Sequence, residues 1–145
     1  MASVIQRFLF GALFFVPAIA APAESFAARL TPVPIDIAMR ATVAGMGSVS
    51  ATLTGTMLSL SGSFEGLRTA ATIGKIHQGP VMGVRGPAIL DLTVSKATSG
   101  EVKGSFDLTP EQVESLRKGK LYIQIYSEKA PDGNLWGWLL SREKR

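Results

Sequence analysis

The 145-residue chain has one histidine, His77, and no cysteine, which narrows the chemistry it can perform. A structural zinc site needs four nitrogen, sulfur or oxygen ligands, and His77 alone cannot supply them. Asp91, Glu128 and Asp132 could add carboxylates, but no spacing in the sequence brings them to His77. The methionines Met39, Met46, Met57 and Met82 could offer thioethers to Cu(I), yet they form no cluster. Disulfide and thiolate chemistry are excluded. No serine lies in a nucleophile-elbow sequence and no acid–base pair stands out, so no catalytic residue and no cofactor are expected. His77 is kept only as a weak metal candidate.

The residues left are aromatic. Tyr122, Gln124 and Tyr126 alternate along one segment, and Trp136 and Trp138 along the next. Alternation with period two places each set on one side of its strand, with Leu121, Ile123, Ile125, Leu135 and Leu139 on the other. Tyrosine and tryptophan offer flat apolar area with a polar handle, which suits recognition. Tyr122, Gln124, Tyr126, Trp136 and Trp138 are therefore the candidate partner-binding residues, on a face expected to be at least partly open, with the aliphatic face as core; the alternative is that the aromatic face is itself core.

The elements that must position them are strands. Ile35, Ile37, Met39 and Ala41 alternate with polar or small residues. So do Val49, Ala51 and Leu53, then Leu58, Leu60 and Phe64, then Val102, Gly104 and Phe106. Residues 88–94 are more continuously apolar, as in a central strand. Gly, Pro, Asn and Asp punctuate these runs, and Pro131-Asp132-Gly133-Asn134 reads as the turn of the last hairpin. One short helix is announced by Thr109-Pro110-Glu111-Gln112, a capping box with Pro at the first helical position, and is closed by Gly119. The fold class predicted is all-β, an antiparallel β-sandwich or Greek-key barrel of about eight strands with one short helix.

The N-terminus reads differently. Arg7 precedes an apolar run over residues 8–16, then Pro17 and the small-x-small site Ala18-Ile19-Ala20. That order predicts a secretory signal peptide over residues 1–20, with an alternative end at 27. The apolar run is too short for a membrane anchor, which needs about 20 residues. About 120 residues then remain, enough for one domain. They divide into a lead-in at 28–34, a β domain at 35–141 and a basic tail at 142–145. The formal charge of +4 becomes +3 without Arg7. Lys and Arg are scattered, not striped among aromatics, so nucleic acid is not an expected partner.

The order of motifs resembles the CHRD (chordin-type) domain. Phe64-Glu65-Gly66-Leu67 leads to Lys75-Ile76-His77-Gln78-Gly79-Pro80, then to Gly86-Pro87-Ala88-Ile89-Leu90. Leu108-Thr109-Pro110 follows, then Gly119-Lys120-Leu121-Tyr122 and Pro131-Asp132-Gly133-Asn134-Leu135-Trp136-Gly137. The resemblance spans roughly residues 34–140 and is similar to bacterial exported forms. Family members usually carry His-Ile-His-x-Gly and a further histidine in the last hairpin. Here these first and hairpin histidines fall on Lys75 and Tyr126, so the motif is degenerate and only His77 remains. The family's post-turn Glu and Arg fall on Asn134 and Trp136. The resemblance implies a non-catalytic binding module outside the cytoplasm, and the signal peptide makes it periplasmic or secreted, with no membrane span after signal cleavage. Its partner, an unknown protein or envelope ligand, does not carry over from the family. The alternative it leaves is a periplasmic metal-handling protein using His77 with Met or carboxylate ligands.

Overall fold

The computed structural model describes residues 11, 12, 14, 15, 17 and 22–144, the last without its side chain. The expected signal peptide, residues 1–20, falls mostly outside the described residues. No helix among the described residues is long and apolar enough to cross a membrane.

Among the described residues nine antiparallel strands follow one another: β1 (Ala23–Pro32), β2 (Met46–Thr54), β3 (Met57–Glu65), β4 (Ala71–Gln78), β5 (Ala88–Val94), β6 (Gly100–Asp107), β7 (Leu121–Ser127), β8 (Ala130–Trp138) and the two-residue β9 (Leu140–Ser141). Hydrogen bonding runs in the order β2-β3-β6-β5-β4-β7-β8-β1, and β1 also pairs with β2. Eight strands therefore close into a barrel, which leaves no long unpaired edge. The all-β expectation with one short helix holds. β9 lies beside β1, with Ala27 opposite Leu140.

Alternation works as the sequence implies. Val49, Ala51 and Leu53 on β2, Leu58, Leu60 and Phe64 on β3, and Leu121, Ile123 and Ile125 on β7 all point inward and are buried. With Phe26, Leu30, Ile76, Val102, Leu135 and Leu139 they form one continuous core inside the barrel. The helix α1 (Pro110–Arg117) has both arms of its capping box. Gln112 N–H donates to Thr109 Oγ1 at 3.2 Å, and Thr109 N–H donates to Gln112 Oε1 at 3.0 Å. Its buried Val113 and Leu116 add to the same core.

Three expectations are corrected. Residues 28–34 are not a lead-in but mainly the second half of β1. Ala28 and Leu30 on that strand are buried, and its register with β2 runs from Ala23 to Leu30. Ile35 to Thr42 form no strand; Ala38–Ala41 is a short 3-10 helix and Ile37 is exposed. That alternation had no neighbouring strand to pair with, since β1 already bonds β2 and β8. The last hairpin turns at Glu128 and Lys129, because Ser127 pairs with Ala130. Pro131 to Asn134 lie within β8, where the register shifts and Gly133 takes a φ of +128°. A Cβ there would stand 2.6 Å from the Gln124 amide nitrogen, so the bulge requires glycine. β5 has a strand on each side, β6 and β4, as a central strand does, but only Leu92 on it is buried, and it meets β6 through just Thr93–Lys103 and Val94–Val102.

Candidate functional site

The outer face of β4, β7 and β8 carries the cluster that the alternation pointed to. Lys75 of β4 stands opposite Gln124 of β7, and His77 opposite Tyr122. Tyr122 in turn faces Trp138 of β8, and Gln124 faces Trp136. All five candidate residues thus share one face, the reverse of the strands whose Ile123, Ile125 and Leu135 fill the barrel.

Two connections fold over this face. The β4–β5 loop, residues 79–87, reaches across the rings. Its Gly79 approaches Trp138 so closely that a Cβ would lie 2.9 Å from the indole. Gly86 is equally constrained, since a Cβ would overlap the Gln78 carbonyl oxygen. The β1–β2 connection supplies Val33 and Val43, which with Ala130 form a satellite cluster that Met39 and Trp136 pack against. It is latched by Asn134, fully buried, whose Oδ1 accepts from Ala44 N–H at 3.2 Å while its Nδ2 donates to Ser127 Oγ at 2.8 Å.

The coverage sorts the five candidates. Tyr122 is 1% exposed and Gln124 3%, the latter donating its amide to the Asp132 carbonyl at 3.1 Å. Tyr126, Trp136 and Trp138 are only half-buried. The two indoles stand 5.9 Å apart at 65°, and Tyr122 packs beneath both at 5.8 and 4.5 Å. The exposed Arg85 of the β4–β5 loop holds its guanidinium 5.4 Å from the Trp136 ring centre, a cation–π contact.

His77 is buried at the inner end of the same cluster, stacked on Tyr122 at 4.9 Å. Its Nδ1 lies 2.9 Å from the Gly86 carbonyl oxygen, which can only accept, so Nδ1 carries the proton. Nε2 therefore accepts from the Tyr126 hydroxyl, at 2.6 Å. Burial, reinforced by the neighbouring Tyr122, pushes the Tyr126 phenol above its usual range, which keeps it a donor at neutral pH. The Tyr122 hydroxyl clasps Gly86 from the other side, donating to its carbonyl and accepting from its N–H, both at 3.0 Å. The histidine–tyrosine network thus fixes the loop that carries Arg85.

Both nitrogens of His77 are engaged within the cluster. Lys75 extends away to Asp91, at 3.7 Å, on the exposed flank. Among the described residues no group of three His, Cys, Asp or Glu side chains converges. Met46, Met57 and Met82 are exposed on separate parts of the barrel.

The roles of Arg85, Gly86 and Asn134 were not foreseen from the sequence. The Gly79-Pro80 and Gly86-Pro87 pairs bracket the loop and are the only local signal that its backbone comes close to something.

Residues 26–139 match the family model of the CHRD domain, and the chain belongs to that family. No curated protein and no solved structure matches it.

Proposed function

We propose that this CHRD-domain chain is a non-catalytic, exported binding module that meets a protein or envelope ligand through Trp136, Trp138 and Tyr126, with Arg85 at the rim. Tyr122 and Gln124 act from beneath, as the floor that sets the indoles. The observation that carries this reading is the pair of half-buried indoles at 65°, held on the outside of a barrel whose core lies on the opposite side of the same strands. Partly exposed aromatic and arginine side chains beside each other are the residue types that dominate binding energy at interfaces. Family membership supports binding over catalysis.

Photo-crosslinking in the producing cell tests this. A benzoylphenylalanine at position 138 should capture a defined species that the same group at position 105, on the polar side of the barrel, does not. Trp136→Ala should abolish that capture. Equal capture from both positions would refute the surface.

Export rests on the signal peptide read over residues 1–20. Cleavage before Ala21 leaves β1 whole, whereas the alternative end at 27 would remove the buried Phe26 and five of the eight β1–β2 pairs. N-terminal sequencing of envelope fractions should therefore begin at Ala21. An intact Met1 in a cytosolic fraction would contradict export. The metal-handling alternative through His77 has no supporting geometry, because Tyr126 already occupies the lone pair of Nε2. Calorimetry with Cu(II) or Zn(II) should show nothing tighter than micromolar, about −8 kcal/mol.

A further inference from the structure

The other half of the barrel carries a second, chemically different surface. An open groove of about 980 Å³ runs along the outside of β1, β2 and β3. Its polar lining includes Arg29, Ser48, Ser50, Ser63 and Arg142, with Glu65 at one end. Register explains how these meet. Arg29 stands opposite Ser48, which stands opposite Ser63, and one rung along Ala27 stands opposite Ser50. Arg142 enters from beyond β9, beside Ala27, and its Nη2 donates to Ser50 Oγ at 3.0 Å. The guanidinium therefore crosses β1 where the side chain is only a methyl. The start of the basic tail is thereby folded onto the sheet.

Among the described residues neither Arg29 nor Arg142 is in an ion pair, and a guanidinium has five N–H donors, of which Arg142 uses one. The floor adds hydroxyls that both donate and accept. The main-chain groups of β1, β2 and β3 are spent on the ladders, so a peptide cannot add here as a strand. Among the described residues no exposed aromatic ring lines the groove, which removes the stacking platform that a neutral sugar would use. Glu65 limits the net positive charge, which disfavours a densely charged polyphosphate. The geometry points to a chain rich in hydroxyls and carrying spaced carboxylates, and we propose that the Arg29–Arg142 groove binds an acidic polysaccharide. Each guanidinium is suited to a bidentate carboxylate contact.

Titration calorimetry of the full chain with hexagalacturonate, cellohexaose and hexaglutamate tests this. Hexagalacturonate should bind, with affinity falling as salt rises. Cellohexaose should give no heat, and hexaglutamate should bind at least about tenfold more weakly, a difference of about 1.4 kcal/mol. The double variant Arg29→Gln/Arg142→Gln should lose at least about tenfold in affinity for hexagalacturonate, the same 1.4 kcal/mol. Ser48→Asp, which puts a carboxylate on the groove floor, should reproduce that loss. Both variants change exposed side chains, and their urea midpoints should stay at the wild-type value. Absence of hexagalacturonate binding, or binding indifferent to both variants, would overturn the proposal. Hexaglutamate binding as tightly would also overturn it and assign the groove to acidic peptides.

Discussion

β2 and β7 are both core strands, yet they are buried in different ways. On β2 the inward Val49, Ala51 and Leu53 are buried while Ser48, Ser50, Thr52 and Thr54 are exposed. On β7 every residue but Tyr126 is buried, on both sides. The inner faces are alike, so the difference lies outside the barrel. Exposed hydroxyl and charged side chains, with no loop over them, coat most of the half made by β2, β3 and β6. Two loops, a satellite apolar cluster and a polar network cover the half made by β4, β7 and β8. A strand covered on both faces has its outer side chains fixed by neighbours, and that is where a rigid recognition surface can be built. The bare half instead offers side chains free to meet solvent or a hydrated ligand.

The largest expected contrast is between the inner and outer faces of these strands. Ile123→Ala should destabilise by about 2–5 kcal/mol through lost burial and cavity formation. Thr52→Ala, on the bare side of β2, should stay within about 0.5 kcal/mol of wild type. Urea denaturation of the two variants would break the comparison if their midpoints fell by similar amounts.

A smaller effect should mark the covered half alone. Tyr122→Phe removes both hydrogen bonds to Gly86, leaves its N–H without that partner, and should cost about 1–3 kcal/mol. Amide exchange in the β4–β5 loop should accelerate with it. Tyr126→Phe removes one donor to His77 Nε2 and should cost about 1 kcal/mol. An unchanged midpoint and unchanged loop exchange in both variants would mean that the network does not hold the loop.

The smallest effect should come from the edge of the bare half, where Arg117 meets Glu24 in a two-pronged contact. The hydrogen bond from Arg117, opposed by partial burial, holds the Glu24 carboxyl below its usual range. A lowered carboxyl stabilises the fold above its ordinary pKa, and that contribution is lost as pH falls through the lower folded value. Arg117→Ala should therefore reduce the urea midpoint slightly at neutral pH, and the difference should shrink below about pH 4. A deficit that persisted unchanged in acid would refute the ion pair as its cause.

What the sequence disclosed follows the same division. The bare half was legible because its outer residues are mostly hydroxylic or charged and its inner ones mostly apolar, so period two is visible in β2, β3 and β6. The capping box of α1 was equally plain, since all its partners lie within four residues. The covered half hid more. The outward residues of β7 and β8 are large aromatics, and alternation between two apolar sets does not say which is core. Closure by β1 depends on partners in β8 more than 100 residues away, and its N-terminal half sits beside a segment that reads as a leader. Pro131 to Asn134 looked like a turn because its residues suit turns, but the Ser127–Ala130 pair moved the turn to Glu128 and Lys129 and made Gly133 a bulge. The His77–Gly86 contact joins a side chain to a loop carbonyl, and no residue type announces that.

The central claim is that the outer aromatic face is a partner surface and not a second core. Leu139 and Trp136 test it most directly, being close in sequence with Leu139 fully buried in the barrel and Trp136 half-buried outside it. Leu139→Ala should lower the free energy of unfolding by about 2–5 kcal/mol. Trp136→Ala should shift the urea midpoint far less, at an unchanged slope. If Trp136→Ala proves the more damaging change, the aromatic face is core and the binding surface is refuted.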